Sequence, residues 1–248
     1  MTILHIIKSL GRGGAEMLLP ETIRVHDKNE FSFHVIYFLP WKNQMVQELE
    51  EAGAEVSCFA ATNNLKILLQ ARKIARYVKE NHIDLIHCHL PWAGFLGRIV
   101  HKLSGVPVLY TEHNKQERYH WLTKKINKLT FNWQTSGIAV SGEVAESIQK
   151  NIAPKIPVHT ILNGVNTDRY KRNEVARLSI RQENNWDVHT IVIGTIAVFR
   201  FQKRLDLWLE LFKKIKDQHP TKKIKGVIVG RSEEHTSELQ SHSDLVCR

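Results

Sequence analysis

A chain of 248 residues that is 42% hydrophobic, 24% charged and 8% aromatic has the composition of an ordinary globular protein with apolar side chains enough for a sizeable core. No run approaches the roughly 18–20 consecutive apolar residues that span a bilayer, and the opening MTILHIIKSLGRGG lacks the charged start and long apolar stretch of a signal peptide. The balance of 35 Lys and Arg against 25 Asp and Glu, a net charge of +10, admits nucleic acid, an anionic membrane surface or a phosphorylated substrate, but no zinc-finger or RNA-binding signature supports the first.

Short β-branched runs alternate with segments of helical period. ILHIIKSL (3–10) predicts a strand and GGAEMLLPETIRVH a helix, kinked at Pro20, where a backbone hydrogen bond is lost. FSFHVIYFL is the next strand, NQMVQELEEAG the next helix and EVSCFA the strand after it. One amphipathic helix is expected across LKILLQARKIARYVKENH. Then come the strand DLIHCHL, the helix AGFLGRIVHKLSG and the strand VPVLYTEH, followed by a long basic and aromatic helical segment over KQERYHWLTKKINKLTFNW. GIAVS, GEVAESIQKN and VHTILNG read as strand, helix, strand. This rhythm implies an α/β fold, a parallel sheet with helices on both faces, whose ligands bind at the carboxyl ends of the strands. Residues 1–165 form this Rossmann-like domain and 166–189 a polar connection with one helix. Residues 190–230 open a second α/β domain with too few elements to bury a core.

Residues 231–248, RSEEHTSELQSHSDLVCR, carry no period and no continuation of the second sheet. They resemble the translated read-through of a sequencing adapter and are expected to be a non-native tail. Cys58, Cys88 and Cys247 share no metal-ligand spacing and no disulfide framework, which fits a reducing cytoplasm.

Five segments carry candidate chemistry. Gly11-Arg12-Gly13-Gly14-Ala15-Glu16 joins the first strand to the first helix. Its glycines permit positive φ and close backbone approach, and a helix start attracts anions, so a diphosphate or a polar acceptor fits there. It is not the dinucleotide fingerprint, which disfavours an oxidoreductase. His87 and His89 project to one side of a strand end; a metal pair, contacts to substrate hydroxyls and satisfied buried imidazoles all fit, and no third ligand stands at suggestive spacing. His113, in Thr111-Glu112-His113-Asn114, follows the next strand, where it can bond a sugar hydroxyl, accept a proton or cap a helix. Asn163-Gly164-Val165-Asn166 is a turn signal. Arg200, Lys203 and Arg204 precede a helix, a placement that calls for an anion.

Taken in order, these segments resemble the family-4 retaining glycosyltransferases of the GT-B fold over residues 1–230. The resemblance implies two facing α/β domains, with the acceptor mainly on the first and a nucleotide-sugar donor mainly on the second. It places Gly13, Gly14, Glu16, His87, His89, Asn163, Gly164, Arg200 and Arg204 in donor or acceptor binding. His113 would contact the transferred sugar and Lys203 the departing diphosphate. Transfer would retain anomeric configuration, with the leaving phosphate helping to deprotonate the acceptor. No metal and no cofactor beyond the nucleotide-sugar co-substrate are implied, and the chain has no Asp-x-Asp pair. Three departures stand out: Val198 where the family often has arginine, Asn166 where it has an acid, and paired glutamates that would fall beyond Gly230. The polypeptide as written is therefore expected to be inactive.

The expected acceptor is a glycan or a lipid-linked sugar in the synthesis of a cell-surface polysaccharide or glycolipid. The expected location is cytoplasmic, with Arg118, Lys124, Lys125 and Lys128 among Tyr119, Trp121, Phe131 and Trp133 offering peripheral contact with an anionic inner membrane face. An ordinary amphipathic helix, aromatics inward, is the alternative for that segment. The alternative for the whole chain is a non-catalytic basic α/β module that binds nucleic acid or a protein partner.

Overall fold

The computed structural model describes residues 1–230 and 245–247, and the chain divides into two compact units, Met1–Thr167 and Asp168–Arg248. In the first unit the strands are β1 (Thr2–Ile6), β2 (Ser32–Tyr37), β3 (Ala54–Cys58), β4 (Leu85–His89), β5 (Val108–Glu112), β6 (Ser136–Ala139) and β7 (Val158–Thr160). They form a parallel sheet in the order β3-β2-β1-β4-β5-β6-β7. The chain builds outward from β1 to β3, then returns to the other side of β1. The β1–β4 junction is therefore the topological switch point, where such sheets open a crevice.

Helices α1 (Gly14–Val25), α2 (Val46–Glu51), α3 (Asn64–Leu69), α4 (Ala71–Glu80), α5 (Pro91–Ser104), α6 (Trp121–Thr130) and α7 (Gly142–Asn151) fill the connections. Alternation along the strands divides the apolar side chains between two cores. Leu4, Ile6, Ile86, Cys88 and Tyr110 pack against Ile74, Val78, Leu96, Val100 and Ile148 of α4, α5 and α7. Ile3, Phe33 and Val35 pack on the opposite face against Leu19 and Ile23 of α1 and Leu49 of α2. On that second face the β4–β7 half keeps Leu85, His87, Leu109 and Ile138 only half-buried.

Most expected elements are present, with informative differences. The single helix expected over 65–82 is two: Asn63 caps α3 by accepting from Lys66 N at 2.9 Å, and Gln70 ends α3 and starts α4, so the apolar stripe turns at that residue. The expected long helix over 115–133 breaks into one-turn 3-10 segments at Gln116–Arg118 and Phe131–Trp133 flanking α6. Gln116 and Tyr119 commit their side chains to Glu112, which pulls the chain across the end of β5 before α6 starts. β7 stops at Thr160, short of the expected Gly164. α1 runs through a buried Pro20, whose ring removes the bond to the Glu16 carbonyl.

The second unit contains α8 (Glu174–Glu183), β8 (Ile191–Ile196), α9 (Leu205–Gln218), β9 (Ile224–Val229) and β10 (Leu245–Cys247), with a parallel sheet in the order β10-β9-β8. Among its described residues Phe212, Ile224 and Ile228 are the buried apolar ones, and Trp208 stacks on Phe212. Of the residues expected as a connection, 166–189, those from Asp168 on group with this unit and supply α8. Most of the expected non-native tail lies outside the described residues; its one apolar triplet, 245–247, pairs with β9 where no continuation of the sheet was expected.

Helix α5 approaches the sheet closely because two glycines face it. A Cβ at Gly94 would sit 2.7 Å from Tyr110 Cε2, and one at Gly97 would overlap Cys88 Sγ. Its end is fixed by Gly105 at φ 77°, a left-handed cap that favours glycine. Gly97→Ala is expected to cost about 1–3 kcal/mol by overpacking. In a Cys88→Ala background the same substitution should be neutral or gain up to ~1 kcal/mol, its helix-propensity advantage. Urea unfolding of the four chains measures the coupling; an equal cost in both backgrounds would contradict this packing.

Candidate functional site

The uncovered half of the second face forms the wall of a cavity of about 470 Å³, lined within the first unit from α1 to the segment after β7. Parallel register decides which polar side chains reach it. His5 lies opposite His87 in the β1–β4 pairing, and His89 opposite Thr111 in the β4–β5 pairing. His113 follows one residue past β5. The four histidine rings gather as a cluster, tilted against one another with centroids 4.9 Å apart for His5 and His87, 4.3 Å for His87 and His89, and 5.6 Å for His89 and His113.

The rings are also hydrogen-bonded in series. His5 Nδ1 lies 3.0 Å from His89 Nε2, and His89 Nδ1 lies 3.4 Å from His113 Nε2; His87 Nε2 meets Thr111 Oγ1 at 2.7 Å. His5 Nε2 is buried and has no hydrogen-bond partner. If the protons ran the other way, that nitrogen would be an orphaned buried N–H, the costlier of the two unsatisfied groups. Hydrogen bonding therefore assigns donation from His5 Nδ1 to His89 and from His89 Nδ1 to His113, leaving the His113 proton on Nδ1. Burial pushes His5 down to about 4, helped by His26, and His113 down to about 4. Burial also holds His87 and His89 well below the usual range, helped by the neighbouring imidazoles. At neutral pH the cluster is uncharged.

Beside His113, Glu112 is a buried hub. Its carboxylate accepts from Tyr110 Oη at 2.7 Å, Tyr119 Oη at 2.5 Å, Gln116 Nε2 at 2.7 Å and Asn114 N at 3.2 Å. Burial raises its pKa, and the donors pull it back part of the way. Gln116 in turn accepts from Asn127 Nδ2 at 2.9 Å, which ties α6 to the end of β5. Below the hub, the buried guanidinium of Arg98 lies 5.0 Å from the Tyr110 ring and 5.2 Å from that of Phe131, and it donates to Gln134 and Thr130. The turn from β4 into α5 is strained: Leu90 has φ 68° and ψ 160°, a region nearly exclusive to glycine, immediately after His89.

His87, His89, His113, Asn163 and Gly164 thus share one cavity wall. Gly13 and Gly14 start α1, and neither uses positive φ; Gly13 is extended at φ −101°. What Gly13 provides is an absent Cβ, since the Glu16 carboxylate folds back into that space, where Ser9 Oγ donates to it at 3.2 Å. Arg200, Lys203 and Arg204 lie in the second unit, around the 3-10 turn Phe201–Lys203 that enters α9. The anion that Arg204 needs there is internal: its guanidinium binds Asp206 at 2.9–3.2 Å, and Asp206 in turn suits the first turn of α9. Lys203 is exposed. His5, Thr111 and Glu112 join the site without having been expected there; for His5 the available signal is a polar residue in the middle of ILHII. With His5, the two strand-end histidines gain the third imidazole whose absence weighed against a metal: the ring nitrogens of His5, His87 and His89 lie within 4.8 Å of one another.

Residues 12–169 match the family Glycosyltransferase Family 4. EpsF of Bacillus subtilis (strain 168), which carries a glycosyltransferase name, is 23% identical over 231 residues, 87% of this chain and 59% of that protein. Two solved structures share the fold. Anabaena Alr3699/HepE in complex with UDP and glucose superposes with a TM-score of 0.76 at 18% identity, covering 94% of this chain and 61% of that one. A glycosyltransferase from Rickettsia africae ESF-5 gives 0.72 at 18% identity, covering 92% and 60%. The chain spans about three fifths of the length of these relatives. Its fold is of the GT-B type, a Rossmann-like parallel-sheet unit followed by a second strand–helix–strand unit.

The hub makes a stability prediction. Glu112→Ala leaves two tyrosine hydroxyls, an amide and a backbone N–H without their acceptor, at about 1–3 kcal/mol for each buried unsatisfied group. A total loss of at least about 3 kcal/mol is expected by urea unfolding, with Glu112→Gln, which keeps one acceptor oxygen, losing less. A loss under roughly 1 kcal/mol for the alanine variant would contradict the hub.

Proposed function

This chain belongs to Glycosyltransferase Family 4, and on that premise we propose that it serves transfer of a sugar from a nucleotide-sugar donor to a glycan or lipid-linked acceptor with retention of configuration. The observation that carries the proposal is His113, an uncharged strand-end imidazole bonded to His89 behind it and set between Glu112 and Asn114, whose backbone N–H donates to the Glu112 hub. An uncharged ring can donate its Nδ1–H to a sugar hydroxyl without repelling the positive charge that develops at the reacting carbon. UDP is the nucleotide held by the Anabaena structure, and a uridine diphosphate sugar is the donor class we assign.

In this reading the bond from the sugar carbon to the diphosphate breaks as the acceptor oxygen attacks from the same side. The acceptor proton passes to the departing phosphate oxygen. The products are the glycosylated acceptor and the nucleoside diphosphate. Lys203 would stabilise the charge growing on that leaving group, and Arg200 or Arg204 would supply a second cation. The Gly13–Gly14 start of α1 and the Asn163-Gly164 segment border the space for acceptor and donor. The transfer step needs no metal. The pathway fitting such an acceptor is synthesis of a cell-surface polysaccharide or glycolipid.

Membrane contact belongs to the same proposal. α6 and its flanks expose Trp121 (66%) and Trp133 (45%) along with Leu122 and Leu129, while Phe131 alone of the aromatics there is fully buried. Lys125 and Lys128 share the exposed surface. Exposed aromatics beside lysines suit the inner face of an anionic bilayer, where a lipid-linked acceptor resides. Among the described residues no helix is long and apolar enough to cross a membrane.

Two measurements test the proposal. In the protein that carries these residues, UDP release from UDP-sugars should accompany a product whose new linkage has the donor's anomeric configuration by NMR. His113→Ala should lower kcat by about 100-fold or more; unchanged turnover, or inversion, would overturn the reading. For the membrane, cosedimentation with vesicles containing anionic phosphatidylglycerol should exceed that with neutral vesicles, fall with added salt and weaken in Trp121→Ala. Equal binding to neutral vesicles at high salt would contradict it.

A further inference from the structure

The structure assigns a second capacity to the cavity: we propose that His5, His87 and His89 bind one first-row transition-metal ion of the zinc class. The inference rests on their geometry and stands apart from the transferase reading. Three imidazoles, from the central strand and its neighbour, bring their ligand nitrogens within 4.8 Å of one another. Around a tetrahedral zinc with bonds of about 2.0–2.1 Å, neighbouring nitrogens are roughly 3.3 Å apart. His5 Nδ1 and His89 Nε2 already lie at 3.0 Å. The rings sit 4.3–5.3 Å apart, so modest side-chain rotation closes the set.

With His89 binding through Nε2, its Nδ1–H keeps the hydrogen bond to His113, an outer contact that orients the ring. The donor set decides the ion. Three imidazoles without a carboxylate suit zinc, cobalt, nickel or copper and are poor ligands for magnesium or calcium, which take oxygen. Three protein nitrogens leave a fourth position open toward the cavity, the arrangement of an exchangeable rather than a closed structural site. Thr111, bonded to His87 at 2.7 Å, supplies the outer contact that orients one ligand.

The test uses the purified chain after chelator treatment, titrated with Co²⁺ for visible ligand-field bands and with Zn²⁺ by calorimetry. The expected result is one ion per chain, with tetrahedral cobalt bands. His87→Ala, on a half-buried position, and His89→Asn should each weaken binding at least roughly tenfold with unchanged circular dichroism. His82→Ala, an exposed control among the 14 histidines, should not. Absence of binding near 1:1 stoichiometry, or binding that survives both site variants, would overturn the proposal. Neither outcome bears on sugar transfer, because the readout is metal occupancy.

Discussion

His5 opposite His87, and His89 opposite Thr111, are consequences of parallel register, and the site depends on that register more than on any loop. Side chains two apart on a strand share a face, so a one-residue slip of β4 would send His87 and His89 into the apolar core and bring Cys88 to the cavity. What prevents the slip is the other face of the same strands. Ile86 and Cys88 are fully buried there beneath α5, whose Gly94 and Gly97 admit no looser fit. The polar site is thus positioned by the apolar packing behind it.

Such a site carries an energetic penalty, since uncharged imidazoles and a carboxylate are taken out of water. The structure offsets it with hydrogen bonds. Each histidine has a polar partner, and Glu112 has four donors. The residual cost is local, at His5 Nε2 and in the strained Leu90 turn. Unsatisfied groups and backbone strain gathered at strand ends are what a binding site leaves behind when packing favours function over stability. The apolar floor of the cavity and the exposed tryptophans of α6 and its flank belong to the same unit.

The strand–helix rhythm was legible because β-branched runs such as VPVLY and amphipathic segments such as GEVAESIQKN state their periods locally. His87, His89 and His113 were legible for the same reason: a polar residue ending an apolar strand marks a carboxyl end. His5 was not, since it stands inside a strand and becomes part of the site only through pairing with residues 82 and 84 positions away. The breaks around α6 were hidden too. They arise from Gln116 and Tyr119 bonding to Glu112, a tertiary contact that overrides helical period. Of the glycines around the start of α1, Gly13 serves Glu16 by lacking a side chain, and neither Gly13 nor Gly14 adopts positive φ.

The proposed chemistry requires His113 to be an uncharged ring whose outer nitrogen keeps the proton. Imidazole ¹⁵N shifts of the chelator-treated protein at neutral pH read this directly. Single neutral tautomers, with the proton on Nδ1 of both His89 and His113 and coupling across the shared hydrogen bond, are the predicted result. A protonated or rapidly tautomerising His113, without connection to His89, would contradict it.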